Sequence, residues 1–418
     1  MKKHVVHAIT FSLLLLFPTL WLQADTRAET YADITKAFGL SGAERTGLTT
    51  LPVLLIPIGG RYEGMGTAYT AVSDDAGYFD ANPAASAMLR YTEFSLFHNN
   101  LIADANLEGL SYTSRRNNFG FGTASKLIHV PFTEYDRYGD QVNAIRYLEG
   151  MTGINLSYRF LHDFYFEGIA VGSNLKVGYR HVPEVIEPGQ SGLGFMGDFG
   201  MLTRFNVLKF YNARERNLSL GISVRNLGPP VLDEPLPTLV TAGIGYKPLR
   251  PWLLSFDVLY PIQPFNDQPA EYPGFGVGTA LQVTNFFSIQ TGFLYRGANP
   301  RTSLGASVEL RRVRLTANYT LDLTTQLGAV DRFSVEAAFN FGDRGRSMRR
   351  AEAEEFYLDS IVAFAEGRLE TAVELAGDAV EIDPAFTPAR EIEETAAESL
   401  RIQRELESIR LDEQVTSE

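Results

Sequence analysis

The chain has 418 residues, no cysteine, and 37 Lys and Arg against 50 Asp and Glu, for a formal charge of −13. Absence of cysteine excludes disulfides, thiolate metal sites and a cysteine nucleophile together, and no basic face offers a footprint for nucleic acid. The acid is concentrated at one end, because nine arginines face twenty carboxylates from Asp343 onward.

The chain opens as an export signal. Lys2 and Lys3 form a short basic region, Ile9 to Leu22 is an apolar run, and Leu22-Gln23-Ala24 ends on a small residue. Pro18 interrupts the run, which is also shorter than the ~20 residues of a spanning helix. Residues 1–24 are therefore read as a signal peptide cut after Ala24, and residues 25–57 as an N-terminal extension.

Residues 58–90 do not alternate. Gly59, Gly60, Gly64 and Gly66 lead into Ala71-Val72-Ser73-Asp74-Asp75-Ala76 and then Asn82-Pro83-Ala84. The glycines permit positive φ and close backbone approach, and the alanines pack where space is short, which is the composition of a compact plug. Asp74 and Asp75 are adjacent on the backbone and so point apart, which disfavours a shared proton. They are expected to tie the plug by accepting from backbone N–H groups or pairing with a lumen arginine. The glycine-rich stretch 59–66, the run Ala-Tyr-Thr-Ala-Val-Ser-Asp-Asp-Ala at 68–76 and Asn82-Pro83-Ala84 resemble the FadL-type long-chain fatty acid transporters, including their spirochaetal relatives. The resemblance implies a hatch folded inside a fourteen-stranded barrel, an apolar ligand bound within and a sideways exit through the wall. This chain differs from that family in the thirty or so residues before the plug and in continuing beyond the barrel.

From 91 to 342 the chain reads as a transmembrane β-barrel. Ile154, Leu156, Tyr158 and Phe160 alternate with Gly153, Asn155, Ser157 and Arg159, and the same period recurs at Leu218–Val224, Val240–Tyr246, Phe275–Val283, Leu304–Leu310 and Val313–Leu321. Segments of about 9 to 11 residues suit tilted strands crossing a bilayer, and counting them gives about fourteen. Arg159, Arg225, Lys247 and Arg314 fall on the polar face, which predicts a wet interior and an oily exterior. Pro183–Gly192, Pro229–Pro237 and Pro261–Pro273 interrupt the ladder and read as loops, the longer ones extracellular. The last strand, Phe333 to Phe341, ends on an aromatic, as bacterial outer-membrane barrels do.

After Gly342 the period becomes helical. Helices are predicted over Ala351–Glu366, stopped by Gly367, over Leu369–Ile382, and over about 389–411, with Ile392, Ile402, Leu406 and Ile409 turned towards the other two. Gly367, Ala372, Ala379 and Pro384 resemble the small residues and closing proline of one tetratricopeptide repeat. A single repeat is marginal alone, so this tail, residues 343–418, is expected to dock on something, and an even strand number places it in the periplasm.

No catalytic constellation is legible, and none of His98, His129, His162 and His181 stands at metal-ligand spacing. The sequence thus reads as a non-enzymatic, cofactor-free barrel surrounded by outer-membrane lipid. Its expected function is passive uptake of fatty acids or other hydrophobic small molecules, with substrate residues unassigned. The rival reading is a membrane-anchored scaffold whose acidic tail binds a periplasmic or secretion partner.

Overall fold

The computed structural model describes residues 47–101, 104–213, 215–265, 269–296, 300–322 and 330–416; the signal segment and most of the extension lie outside them. Among the described residues, fourteen strands follow one another. The first seven are β1 (Glu93–Asn100), β2 (Asn106–Arg116), β3 (Phe119–Tyr135), β4 (Gln141–Phe160), β5 (Ile169–His181), β6 (Gly192–Phe205) and β7 (Leu218–Leu227). The others are β8 (Leu239–Leu249), β9 (Trp252–Pro261), β10 (Gly274–Gln282), β11 (Phe287–Tyr295), β12 (Arg301–Leu310), β13 (Val313–Asp322) and β14 (Val330–Asn340). Each pairs antiparallel with its sequence neighbours, and β1 pairs with β14 from Glu93↔Asn340 to Asn100↔Phe333, which closes the barrel.

Alternation decides which face is which. Ile154 on β4 is 48% exposed while its neighbour Asn155 is 0% exposed. The same inversion holds for Leu175 against Asn174 on β5 and Phe256 against Asp257 on β9. Apolar side chains therefore cover the outside and polar ones line the inside, the reverse of a soluble sandwich. The interior is not wet, however. Arg159 and Arg225 are buried, because their face meets packed protein rather than solvent.

The packing partner is the segment before β1. It comprises a 3-10 turn (Pro52–Leu55), α1 (Gly60–Gly64), α2 (Tyr78–Ala81) and a second 3-10 stretch (Pro83–Met88). Its apolar residues form the main core: Leu51, Val53, Ile58, Tyr78 and Phe79 pack with wall residues Leu107, Ala124, Met196 and Leu202. The filled part begins earlier than residue 58. Leu51 and Val53 are fully buried, and Thr50 N–H donates to Pro235 O at 3.0 Å. The run Leu51–Ile58 is too apolar to leave in water as part of an extension.

Four strands exceed the expected length: β5 has 13 residues and β6 has 14, and the excess is largest in β3 with 17 and β4 with 20. Val130–Tyr135 pairs only with the start of β4, so a two-stranded ribbon stands out beyond the neighbouring strands, with Tyr135 and Tyr138 exposed at its tip.

At the opposite end the chain leaves β14 into α3 (Arg346–Ala365), α4 (Leu369–Ile382) and α5 (Thr387–Thr416). Gly367 adopts φ +77° just past α3, as an αL terminator requires. Ala372 packs with Ala363 and Ala396, and Ala379 with Ala353 and Ala389, so small residues let the helices approach closely; Pro384 lies in the α4–α5 connection. Ile402, Leu406 and Ile409, expected to face the other helices, are instead about half exposed: α5 has 30 residues against 14 in α4, and its second half outruns its support. Among the described residues no helix is long and apolar enough to cross a membrane.

Candidate functional site

The candidate site is the barrel interior together with the segment that fills it. Short helical turns leave most of their backbone N–H groups without intrahelical acceptors. Here the wall supplies acceptors. Glu149 of β4 accepts from Val53 N–H (3.1 Å), Glu336 of β14 from Gly60 N–H (2.8 Å), and Asp257 of β9 from both Tyr69 (3.0 Å) and Thr70 (2.9 Å). Wall amides and a hydroxyl serve the carbonyls in turn: Asn318 donates to Gly60 O (2.7 Å), Asn174 to Phe79 O (2.8 Å), Asn155 to Pro83 O (2.9 Å) and Ser223 to Ala81 O (2.9 Å).

Wall cations add a second set of ties. Lys126 of β3 pairs with Asp80 at 2.7 Å and donates to Ile56 O, also at 2.7 Å. Arg225 of β7 donates to the Tyr62 hydroxyl (2.7 Å) and to Asp80 O. Arg314 of β13 pairs with Glu93 at 2.8 Å and reaches Asp75 at 3.8 Å.

Each plug residue singled out from sequence lies in this assembly, whereas Gly367, Ala372, Ala379 and Pro384 belong to the helical tail. Gly59 adopts φ +102°, and a Cβ there would sit 2.9 Å from Gly77 N. Gly60 abuts Thr316 and Glu336, Gly64 abuts Asn318 and Gln290, and Gly66 (φ +60°) lies against the backbone of Phe293. Asp74 pairs with Arg61 and accepts from the Tyr69 hydroxyl at 2.7 Å. Desolvation pushes its carboxyl up, but Arg61 and the Tyr69 hydroxyl outweigh that and hold it below the ordinary carboxylate range. Asp75 turns the other way, accepting from Gly77 N–H at 3.0 Å. Asn82 accepts from Ala84 N–H (3.1 Å) and donates to Thr70 O (2.9 Å) and Met201 O (3.0 Å). Pro83 and Ala84 press on β5 at Gly172.

Of the wall half of the site, sequence reasoning put Arg225 and Arg314 on the polar face but missed Lys126, Glu149, Asp257 and Glu336. It also missed why the inner face is rich in glycine. A Cβ on Gly276 would lie 2.8 Å from Gly66 O and one on Gly278 2.5 Å from Met65 O, while Gly172, Gly221 and Gly292 are equally crowded by the backbone of the filling segment. Glycines at alternate positions, with a lone charge among them, were the readable signal.

A cavity bounded by residues 54–57, Tyr62, Arg225, Asn226 and Arg296 leaves about 30 Å³ open to the centres of water-sized molecules. That admits water and not an organic solute. Leu239, Leu259 and Leu294 make one wall of it apolar. Beside it the β6–β7 ladder slips between Gly197↔Leu227 and Phe199↔Val224, where Asn226 adopts φ +57° and donates its N–H to Asp198 (2.7 Å). Among the described residues no group of three or more His, Asp or Glu is arranged to hold a metal.

At the tail end, Phe164 in the β4–β5 turn packs at a tilt against Phe386 with ring centroids 5.2 Å apart, and Tyr165 OH donates to Glu391 at 3.3 Å. Arg346 of α3 donates to Arg90 O at 2.6 Å. The helical tail thus docks on the rim of its own barrel.

The sequence profile of an uncharacterised protein family, UPF0164, matches residues 30–344, most of the chain. The chain belongs to that family. A UPF0164 protein of Treponema pallidum (strain Nichols) is 27% identical over 393 residues, covering 90% of each chain. The spirochaetal side of the sequence resemblance is thereby met. Among solved structures, the toluene transporter TbuX of Ralstonia pickettii is similar with a TM-score of 0.49 and 12% identity, over 68% of this chain and 98% of that one. A FadL homologue of Pseudomonas aeruginosa is similar with a TM-score of 0.41 and 10% identity, over 68% and 99%. The UPF0164 match ends at the last turn of the barrel, so the helices α3 to α5 lie beyond the matched residues.

Proposed function

We propose that this UPF0164 member resides in the outer membrane and passes hydrophobic small molecules passively, with residues 50–89 acting as a movable plug. The observation that carries the reading is the filled lumen. A barrel whose outside is apolar and whose inside is packed by residues 50–89, with a cavity of about 30 Å³ beside a leucine-lined wall, would pass a solute through that cavity only once the plug shifts. An apolar core holds the plug to one side of the wall, and hydrogen bonds and ion pairs hold it elsewhere; the polar ties exchange for solvent as a solute enters. The slipped ladder at Asn226, next to the cavity, is the favoured place for the solute to leave the lumen. An even strand count supports a periplasmic position for the tail.

Within this class, long-chain fatty acids are the favoured solutes. Burial of an acyl chain against the leucine wall contributes roughly 0.8 kcal/mol per methylene, so affinity should climb along a series of fatty acids. The test is binding of chains of increasing length to the detergent-purified protein. A flat series would reject the proposal.

A second reading has its own observation. The exposed stripe Ile402, Leu406 and Ile409 on a tail of net acidic charge supports a scaffold that holds a periplasmic or secretion partner. Removal of residues 343–418 separates the two, since uptake would persist if the tail is accessory.

A further inference from the structure

The tail-side mouth of the barrel gathers arginines. Even-numbered strands run towards this end, and Arg115 of β2, Arg159 of β4 and Arg204 of β6 sit near their last residues, on the inward-facing positions. Arg346 and Arg350 of α3 descend on them from the tail. Arg115 lies in electrostatic reach of Arg159, Arg204 and Arg346, and Arg159 in reach of Arg204, Arg346 and Arg350.

The partners of these groups are the informative part. Arg115 donates to Asn117 O (2.7 Å) and Leu89 O (3.2 Å), Arg159 to the Asn118 side-chain oxygen (2.8 Å), and Arg346 to the carbonyls of Asp343, Leu89 and Arg90. All are neutral acceptors, and among the described residues none of these three arginines makes an ion pair. Three carboxylates offset part of this charge: Glu167, 3.6 Å from Arg204 and in reach of Arg115 and Arg159, Asp343 beside Arg346, and Glu354, 3.6 Å from Arg350; the five guanidiniums outnumber them. Arg159 is only 7% exposed. Like charges gathered around a buried guanidinium such as Arg159 are costly unless counter-charge matches them, and the carboxylates and carbonyl oxygens present leave positive charge in excess.

We propose that this mouth is a binding site for a phosphate-type oxyanion, built jointly by the barrel wall and helix α3. Guanidinium forks match tetrahedral oxyanions in both geometry and charge. A phosphate carries up to two charges where a carboxylate carries one, which suits several convergent forks better. The oxyanion belongs either to a free phosphate compound or to a lipid headgroup. The inference does not rest on the transport reading, since it concerns a rim shared with the tail and not the plugged lumen.

His162, in the β4–β5 turn, reports on the site. Burial and the charges of Arg159, Arg115 and Arg350 push its imidazole down to about 4, against the opposing charge of Asp163. An anion among those arginines cancels part of that repulsion. The experiment follows the His162 ring signal of the full chain in detergent, with labelled histidine and assignment by His162→Gln, against inorganic phosphate and, separately, phosphatidic acid in mixed micelles. Saturation is expected to raise the His162 midpoint by about one pH unit, tenfold in proton affinity. Arg159→Gln and Arg346→Gln should each remove at least half of the rise, and Arg404→Gln on α5, paired with Glu370, should remove none. Movement with inorganic phosphate assigns the site to a free anion; movement with the lipid alone assigns it to a headgroup. A midpoint that neither probe moves overturns the proposal. Should Arg159→Gln fail to assemble, Arg350→Gln on the exposed face of α3 takes its place.

Discussion

Lys126 on β3 and Asp80 on α2 form an ion pair of 2.7 Å with side chains 0% and 5% exposed, joining wall to plug inside a closed barrel. Removing one member of such a pair strands a charge, at a cost of about 3–5 kcal/mol. Lys126→Met is therefore expected to loosen the plug, read as raised single-channel conductance in a planar bilayer. Adding Asp80→Asn should return conductance most of the way, because the amide oxygen still accepts from Ile58 N–H, now at 2.9 Å from Asp80. Unchanged conductance in the single variant would show that the pair does not restrain the plug.

Gly292 on β11 offers a test of fit rather than charge. Its absent side chain is replaced by the backbone of Met65 and Gly66. Gly292→Leu should expel the plug from that wall, at a cost beyond the ~1–3 kcal/mol of ordinary overpacking, while the barrel still forms and shows heat-dependent gel mobility. Gly197→Ala, where the nearest atoms would be 3.5 Å away, is the matched control and should behave as the parent. Equal conductance for the two variants would contradict the packing account.

Acid should weaken the rim around His162. Its folded value, about 4, lies below the ordinary 6.5. The unfolded or undocked form therefore binds more protons between those values, and stability falls as pH drops through that window, with the full contribution present above 6.5. Limited proteolysis of the tail should accelerate from pH 7 to pH 4.5 in the parent and much less in His162→Gln. Identical pH profiles would remove His162 from the account.

The tail is anchored at Phe386, 6% exposed and packed against Phe164 and Tyr357. Phe386→Ala should cost about 3–5 kcal/mol of tail stability and release the helices to protease, with the barrel resistant. Solute binding in the lumen should be unaltered; its loss would mean that the tail takes part in holding the plug.

Strand identity was legible because each strand's outward residues must all satisfy the same solvent. Ile154, Leu156, Tyr158 and Phe160 meet it at every second position, and nothing else in the fold disturbs that count. The plug glycines were legible for the opposite reason, since positive φ at Gly59 and Gly66 leaves little choice of residue. Lys126, Glu149, Asp257 and Glu336 were not legible, because a lumen charge and a solvent charge look alike until the partner segment is known to lie inside. Leu51–Ile58 escaped for a related reason: an apolar stretch without a period reports burial but not where. The length of β3 and β4 was hidden because the ribbon beyond Val130 meets water on both faces and loses its alternation.

The seam between β1 and β14 is also where wall and occupant share residues. Glu336 of β14 holds Gly60 while lying opposite Phe97 of β1, and Arg314 of β13 bridges to Glu93, the first residue of β1. The strands that close the ring thus carry groups that grip its contents, so the stability of the closure is thermodynamically coupled to the presence of residues 50–89, and a barrel emptied of them would hold its last joint less firmly than its others.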